Sequence, residues 1–428
     1  MHGFAYKNGS LHCEGVELQT LANEHGTPLY VYSAGTIRDH FTRLDRAMDG
    51  VEHEVAFAVK ANSNLSVLLL LADLGAGFDI VSGGELFRVI KAGGDPAKCT
   101  FAGVGKTREE IEYALKQGIY SFNVESEEEL RYLNQVAGEL GLTAPAAVRV
   151  NPNVDAKTHK YISTGKSENK FGVDFEAIPA LYARAAAELP HIHLRGLQMH
   201  IGSQLTSLQP FIEAVEKVAP LALALKEKHG IEFWSIGGGI GIVYHDSLAA
   251  GDVDWWETKS AQDRPLTLPQ YGEALVPRLR DLGLKILLEP GRAIVGNAGV
   301  LLTRCLYEKK GTAKTFKIVD AGMNDLIRPA LYEGHHEIVP LHEPGPERRK
   351  VDVVGPICES GDFFCQDREL PDFQPGETVA LMSAGAYGFV MASNYNTRPL
   401  PAEILVDGST ATIVRRRQSL DDLIAAEL

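Results

Sequence analysis

Lys60 ends a short apolar segment, in the run Phe57-Ala58-Val59-Lys60-Ala61-Asn62. An amine at the end of a buried strand loses part of its hydration, and desolvation favours its neutral form. A neutral lysine amine is a nucleophile that can form a Schiff base with an aldehyde. A lysine that extends its charged end into solvent is the alternative interpretation. The position of Lys60 alone leaves both interpretations open.

Several other polar residues lie at or just after the ends of apolar segments. Parallel strands that end at one edge bring such side chains together. A carboxylate such as Glu289 could keep a pyridine nitrogen protonated, and Arg292 has the forked donors that bind a carboxylate. A surface ion pair on the Glu289-Pro290-Gly291-Arg292 turn is the alternative. The positions are Asp79, Arg149, Asn151, His200, Ser203, Glu289 and Arg292.

A glycine run, Gly237-Gly238-Gly239-Ile240-Gly241, follows another apolar segment. Without Cβ atoms, backbone amides can approach an anion such as a phosphate. A tight turn required only for steric reasons is the alternative. The run does not fit G-x-G-x-x-G, so we do not expect a dinucleotide site.

The C-terminal part contains two further motifs, Cys358-Glu359-Ser360-Gly361-Asp362 and Gly385-Ala386-Tyr387-Gly388. An accessible Cys358 could donate a proton, whereas a buried one would only fill space. Tyr387 could present its hydroxyl to a ligand or pack as a ring on a turn. His335-His336 reads as a solvated pair on a loop. Histidine spacing typical of a metal site is absent from the sequence, so no metal is predicted.

The apolar segments alternate with helical patterns and give eight predicted strands. Eight strand–helix units favour a parallel (β/α)8 barrel, with a doubly wound open sheet as the alternative. T-x-x-E at Thr107 and S-x-x-E at Ser126 predict helix starts. The predicted strands are Glu54–Val59, Phe78–Val81, Cys99–Ala102, Tyr120–Val124, Ala146–Val150, His193–His200, Glu232–Ile236 and Lys285–Leu288.

The pattern changes after Ala298 to β-rich segments separated by turns, among them the hairpin signal Asp407-Gly408. These segments are Val300–Glu308, Thr315–Asp320, Val351–Ile357, Thr378–Ser383, Ile404–Val406 and Thr410–Arg415. We therefore predict an α/β protein with a TIM barrel at residues 33–298 and a second, mainly β domain. Residues 1–32 also read as strands and turns, and we assign them with 299–428 to the second domain. The pattern itself does not decide whether these first strands join it.

Composition narrows the class of protein further. The chain has 428 residues, a formal net charge of −14 and five cysteines without a C-x-x-C pair. The acidic balance argues against nucleic acid or an anionic membrane as the main partner. A sparse, odd number of cysteines is not typical of a disulfide framework, and the first residues do not resemble a secretory signal. We expect a cytoplasmic enzyme.

Eight motifs together identify a family resemblance. In order they are FAVKAN, DIVSGGEL, NKFG, HIGSQ, GGGIG, EPGR, CESGD and GAYG. The chain resembles the alanine-racemase-like, fold type III decarboxylases that depend on pyridoxal 5′-phosphate (PLP), and within them the diaminopimelate decarboxylases. The resemblance implies a barrel plus a β domain, PLP as cofactor, and a homodimer whose subunits share their active sites.

The resemblance also implies roles for individual residues. Lys60 would hold PLP covalently, His200 would stack on its ring, Glu289 would face the ring nitrogen, and Cys358 would donate a proton in the partner's site. The residues implied in cofactor binding are Lys60, Asp79, His200, Ser203, Gly238, Gly239, Glu289, Gly291, Arg292 and Tyr387. Those implied in substrate binding are Arg292, Arg328, Tyr332, Glu359 and Tyr387.

The substrate implied by the resemblance is meso-2,6-diaminopimelate, decarboxylated to L-lysine in the last step of lysine biosynthesis. Arg292 and Arg328 could neutralise a distal carboxylate, and the stretch at residues 159–165 is similar to that type. The alternatives are a decarboxylase for ornithine, lysine or carboxynorspermidine, a PLP-dependent racemase, and a non-catalytic regulator. The presence of Lys60 and Cys358 argues against the regulator.

Overall fold

The structure is a computed structural model that describes residues 2–154, 170–260 and 264–428, so the motif at residues 159–165 lies outside it. The strands are β1 (Phe4–Lys7), β2 (Ser10–Cys13), β3 (Val16–Glu17), β4 (Leu29–Ser33), β5 (His53–Ala58), β6 (Gly77–Ile80), β7 (Cys99–Phe101), β8 (Ser121–Val124), β9 (Ala144–Asn151), β10 (Val173–Asp174), β11 (Ile192–Met199), β12 (Phe233–Ser235), β13 (Lys285–Leu288), β14 (Gly299–Lys310), β15 (Thr315–Val319), β16 (Ile338–Pro340), β17 (Arg348–Val354), β18 (Phe363–Pro371), β19 (Thr378–Leu381), β20 (Ala402–Asp407) and β21 (Thr410–Arg415).

The α-helices complete the element order. They are α1 (Leu18–His25), α2 (Ala34–Ala47), α3 (Leu65–Asp73), α4 (Gly83–Lys91), α5 (Arg108–Gln117), α6 (Glu127–Glu139), α7 (Ile178–Glu188), α8 (Gln209–His229), α9 (Val253–Glu257), α10 (Leu268–Leu279), α11 (Arg292–Val295), α12 (Arg328–Tyr332) and α13 (Leu420–Ile424). Across the described parts of the chain, no helix combines the length and the apolar character needed to cross a membrane.

The chain divides into two compact units. The first, here called the barrel unit, comprises His40–Gly241 and Pro265–Ala293. The second, here called the sheet unit, comprises Met1–Asp39, Ile242–Arg264 and Ile294–Leu428. Each unit is described separately below.

The barrel unit contains a closed parallel sheet. Its strands are hydrogen-bonded in the order β9-β11-β12-β13-β5-β6-β7-β8, and β8 pairs with β9 to close the ring. The predicted barrel is therefore confirmed, and each of the eight predicted strands is present with ends shifted by at most two residues. The open doubly wound sheet is excluded because such a sheet has two free edges.

Buried apolar strands and capped helices explain why this sequence forms a barrel. Every residue of β6, β7 and β8 is buried, as expected of a parallel sheet covered on both faces. The Thr107 side chain accepts a hydrogen bond from the Glu110 amide and Glu110 returns one, so the predicted capping box starts α5. Ser126 caps α6 in the same position, although Glu129 accepts from the amide of Glu125 instead.

The sheet unit is built on a mixed β-sheet. Its strand order is β18-β17-β15-β14-β4-β20-β21, and β19 pairs with both β14 and β16. Strand β4, from the N-terminal part of the chain, runs antiparallel to β14 and parallel to β20. The first strands, whose placement the pattern left open, therefore include one that completes this sheet. The predicted hairpin at Asp407-Gly408 joins β20 and β21.

Gly196 provides a test of packing inside the barrel. A Cβ atom built on Gly196 in β11 would overlap the ring of Phe233 in β12. We expect Gly196→Ala to destabilise the protein by about 1–3 kcal/mol, as overpacking does in well-filled cores. Thermal unfolding followed by circular dichroism measures the loss. The matched control is Gly105→Ala, because a Cβ there meets nothing within 4 Å; equal unfolding midpoints for both variants would contradict this packing.

Candidate active site

Lys60 and Asp79 form an ion pair at the mouth of the barrel. The strand register pairs Ala58 with Asp79, so Lys60, in the 3-10 turn that follows β5, lies just beyond that carboxylate. Lys60 Nζ donates a hydrogen bond to Asp79 Oδ2 at 2.9 Å. Asp79 is fully buried, and its Oδ1 has no hydrogen-bond partner among the described residues. A buried carboxylate of this kind needs a positive group beside it.

Glu289 is a second buried carboxylate, at the end of β13. Three side chains from inside the barrel donate to it: Ser235 Oγ at 2.7 Å, Gln198 Nε2 at 2.9 Å and Asn123 Nδ2 at 3.3 Å. Burial, reinforced by the negative charge of Asp79, raises the pKa of Glu289 to about 7, although the hydrogen bond from Ser235 opposes the shift. A cationic ring nitrogen beside Glu289 would favour the carboxylate form.

His200 follows β11 and offers a neutral flat ring to the same mouth. Burial lowers the pKa of His200 well below its usual value, and the positive charges of Arg149 and Lys60 add to the effect. The Gly238 amide donates to His200 Nδ1 at 3.3 Å, which assigns the imidazole hydrogen to Nε2. An uncharged imidazole can lie against a flat aromatic cofactor without repelling a protonated ring.

The glycine run brings three backbone segments into direct contact. A Cβ on Gly238 would overlap the carbonyl oxygen of Glu289, and a Cβ on Gly239 would overlap that of Gly202. Only glycine allows the loops after β11, β12 and β13 to approach this closely. A Cβ on Gly291 would lie 2.8 Å from that of Ala61, close to Lys60. Close packing therefore requires these glycines, as the steric interpretation expects, and the phosphate site at these loops stays a prediction.

Arg292 and Ser203 stand beside these loops. Arg292 Nη2 donates to Ser203 Oγ at 3.1 Å, and Arg292 is buried. The alternative of a surface ion pair at Arg292 is therefore wrong. A buried guanidinium with a hydroxyl in contact is suited to binding an anion.

Four further polar residues line the inside of the barrel, and no motif in the sequence indicates their role. Gln198, Asn123 and Ser235 are the donors to Glu289, and Arg149 was noted only as a strand end. Arg149 Nη1 pairs with Glu125 at 2.9 Å, and its buried Nη2 has no partner among the residues described. Polar residues within otherwise apolar strands were the available signal.

In the sheet unit, Cys358 and Glu359 lie on an exposed loop. Asp362 anchors this loop to the rest of the sheet unit, because its carboxylate accepts hydrogen bonds from the backbone amides of Met323 and Ile357 at 2.6 Å each. The Cys358 amide donates to Asn396 Oδ1 at 2.8 Å. Cys358 is therefore not the buried space-filling residue of the alternative interpretation, and its thiol is accessible for proton transfer.

Tyr387 occupies an unusual backbone conformation in the sheet unit. Its backbone φ angle is 54°, a left-handed value that residues other than glycine rarely adopt. A Cβ on Gly385 would overlap the Val295 carbonyl, and one on Gly388 would overlap that of Ala384. The two glycines fit a tight turn that fixes the direction of the Tyr387 side chain. Strain of this kind is concentrated at functional positions.

Arg328 and Tyr332 begin and end helix α12 of the sheet unit. Residues four apart lie on one helix face, so their side chains leave in one direction. Arg328 is buried, and its Nη1 lies 2.7 Å from Nε2 of His336. The interpretation of His335-His336 as a solvated pair is wrong for His336, which is fully buried.

The barrel unit fits a flat aldehyde cofactor that carries a phosphate. Lys60 supplies an amine, Glu289 a buried acceptor for a ring nitrogen, and His200 a neutral stacking face. The oxygen Asp79 Oδ1 is buried without a partner among the described residues, and the glycine loops leave no room for side chains. This donor set is complementary to a pyridine ring with a charged tail.

Comparison with known proteins agrees with this geometry. The family model "Pyridoxal-dependent decarboxylase, pyridoxal binding domain" matches residues 34–296. The diaminopimelate decarboxylase of Pseudomonas aeruginosa is 50% identical over 428 residues, which cover 100% of this chain and 99% of that protein. The chain belongs to the pyridoxal-dependent decarboxylases, and among them to the diaminopimelate decarboxylase family.

Solved structures of this family have the same fold. The diaminopimelate decarboxylase of Helicobacter pylori complexed with L-lysine has a TM-score of 0.88 at 42% identity, covering 96% of this chain and 99% of that one. The enzyme of M. jannaschii in co-complex with L-lysine has a TM-score of 0.90 at 38% identity, covering 100% of this chain and 99% of that one.

The raised pKa of Glu289 predicts a pH-dependent stability of the cofactor-free protein. Since the folded protein binds this proton more tightly than the unfolded chain, the stabilisation is present below about pH 4.5 and is lost as the pH rises through about 7. Glu289→Gln cannot titrate. We expect its stability relative to the unmodified protein to improve by roughly 2 kcal/mol between about pH 5 and pH 8.

Urea unfolding of both cofactor-free proteins across this pH range measures the difference. Glu273→Gln is the matched control, because Glu273 is an exposed carboxylate on α10. Its stability relative to the unmodified protein should change little with pH. A Glu289→Gln difference that stays constant with pH would contradict the assignment.

Proposed function

We propose that this chain catalyses the PLP-dependent decarboxylation of meso-2,6-diaminopimelate to L-lysine and carbon dioxide, the last step of lysine biosynthesis. The observation that carries the proposal is the arrangement of Lys60, Asp79 and Glu289 at the barrel mouth, in a chain of the diaminopimelate decarboxylase family. The relatives crystallised with L-lysine support the same product.

Bound PLP supplies an aldehyde that takes up an amine and a ring that accepts the electron pair left when carbon dioxide departs. Lys60 would provide the amine that holds the cofactor covalently. Asp79 accepts a hydrogen bond from Lys60 Nζ and keeps that amine directed at the mouth. Glu289 holds the proton of the ring nitrogen in place, and Ser235 and Gln198 orient its two oxygens.

Other barrel residues bind and position the cofactor. His200 covers one face of the ring as a neutral imidazole. Gly238, Gly239 and Gly291 allow backbone amides to reach the phosphate, and Ser203 and Arg292 add a hydroxyl and a positive charge. Each of these groups lies directly after a barrel strand, where the active sites of such barrels are found.

The sheet unit supplies the groups for the substrate. Arg328 binds the distal carboxylate, and Tyr332 adds its hydroxyl. In the barrel unit, Arg292 is a second cation suited to a carboxylate of the substrate. Glu359 accepts from the distal amino group, and Tyr387 contacts both cofactor and substrate. Cys358 returns a proton to the carbon that has lost carbon dioxide.

We infer that the enzyme is a cytoplasmic homodimer in which Cys358 and Glu359 complete the partner's active site. The exposure of both residues, on a loop pinned at its base by Asp362, supports this inference. We also infer that residues 33–298 form the cofactor-binding domain and that residues 1–32 with 299–428 form the second one.

Competition among substrates tests the reaction. PLP-loaded protein is mixed with equal amounts of uniformly 13C-labelled meso-diaminopimelate, unlabelled ornithine and unlabelled lysine, and labelled and unlabelled products and carbon dioxide are identified by mass spectrometry. L-Lysine and carbon dioxide from diaminopimelate are expected. Putrescine or cadaverine as the main product would favour another diamine decarboxylase, and inverted enantiomers without gas would identify a racemase.

If Lys60 holds the cofactor, removing its amine should abolish the covalent link. After reduction with borohydride, peptide mapping should locate a pyridoxyl group on Lys60 of the unmodified protein, and Lys60→Ala should carry none. Lys106→Ala is the control, because Lys106 is a buried lysine of the barrel unit paired with Glu129 at 2.6 Å. A pyridoxyl group at another lysine of the unmodified protein would contradict the role of Lys60.

Cys358 as proton donor predicts a defect in turnover rather than in cofactor loading. Cys358→Ala should lower kcat by about a hundredfold or more, in the range of general acid catalysis, while the PLP absorbance stays unchanged. Ser360→Ala, an exposed neighbour on the same loop, should keep its kcat. Equal kcat values for both variants would exclude Cys358 as the donor.

A further inference from the structure

Two buried residues of the sheet unit hold the guanidinium of Arg328. Nε2 of His336 lies 2.7 Å from Arg328 Nη1. The ring of Tyr244 lies under the same guanidinium, with its centroid 4.4 Å from Arg328 Cζ. The two rings meet edge to face at 5.5 Å, so each fixes the other.

The hydrogen bonds of His336 define its protonation. Arginine has only donors, so Nε2 of His336 must accept from Arg328. Nδ1 lies 2.8 Å from the carbonyl oxygen of Met382 and therefore donates to it. His336 is thus a neutral imidazole with its hydrogen on Nδ1, wedged between a backbone carbonyl and a guanidinium.

A neutral partner of Arg328 differs from a carboxylate in its effect on the binding of an anionic ligand. A neutral imidazole orients a guanidinium without cancelling its positive charge, whereas a carboxylate in the same place would neutralise it. Tyr244 also orients the guanidinium without neutralising it, because a cation that lies over an aromatic ring keeps its charge. The two contacts fix the plane of the guanidinium before a ligand arrives, which reduces the entropy lost on binding.

We propose that His336, together with Tyr244, is a positioning residue that gives the enzyme its preference for ligands with a distal carboxylate. The proposal rests on the proposed function, in which Arg328 binds that carboxylate. Neither residue contacts the reacting carbon in this scheme, and both act through Arg328.

L-Lysine and cadaverine form a matched pair of probes. They differ by one carboxylate, the group that the proposed reaction leaves on the product. Binding of each to the PLP-loaded enzyme is measured by calorimetry. We expect His336→Leu to weaken L-lysine binding about tenfold, the size of a lost hydrogen bond to a charged group, and to change cadaverine binding by less than about twofold.

Steady-state kinetics gives a second readout. His336→Leu should raise the KM for meso-diaminopimelate by a larger factor than it lowers kcat, because the ground state and the transition state use the distal clamp alike. His336→Gln retains an acceptor oxygen and should restore most of the L-lysine affinity. His335→Leu is the matched control, since the His335 ring stacks on His245 at 3.8 Å rather than on Arg328.

Two variants of Tyr244 test the same proposal if His336→Leu does not fold. Tyr244→Phe keeps the ring under Arg328 and should bind L-lysine as the unmodified enzyme does, whereas Tyr244→Leu should show the selective loss. Equal weakening of both probes, or an L-lysine affinity unchanged in His336→Leu and Tyr244→Leu, would overturn the proposal. Failure of the unmodified enzyme to release carbon dioxide from diaminopimelate would instead overturn the proposed function.

Discussion

Two carboxylates inside one barrel mouth, Asp79 and Glu289, set the constraint on which the site depends. Each is buried, and a buried anion is stable only with a positive group or several donors beside it. Asp79 has the amine of Lys60, and Glu289 has three neutral donors. Burial, and after it the negative charge of Asp79, raises the pKa of Glu289, so the pair favours a ligand that brings a cation to Glu289.

The barrel was predictable from sequence because its strands are buried on both faces. Continuous apolar segments such as Gly77–Ile80, separated by capped helices, are typical of a parallel sheet that helices cover. The sheet unit was harder to predict. Strand β18 (Phe363–Pro371) was missed because its pairing with β17 shifts register twice, so that Phe364 and Cys365 are both buried and strict alternation is broken. Strand β16 has only three residues, too few for any pattern.

The candidate site was predictable where a motif marked a strand end, as at Lys60, His200 and Glu289. The donors to Glu289 were missed, although a polar residue inside an apolar strand, such as Asn123 in Ser121–Val124, is a usable signal. His336 gave no such signal. Its ring contacts Arg328 and the carbonyl oxygen of Met382, and neither contact can be read from the sequence around His336. Two adjacent histidines in a polar stretch therefore give no indication of which one is buried.

Lys60 and Arg328 show two ways of holding a cation for use. The amine of Lys60 must be stable as an ammonium yet available for covalent chemistry, and a carboxylate partner provides the compensating charge. The guanidinium of Arg328 stays charged under all ordinary conditions, so what it needs is direction rather than compensation. A neutral imidazole and an aromatic face supply direction alone. A carboxylate in the place of His336 would orient Arg328 equally well, but it would compete with the carboxylate of the ligand for the same charge. A neutral partner is therefore consistent with the distal-carboxylate role proposed for Arg328.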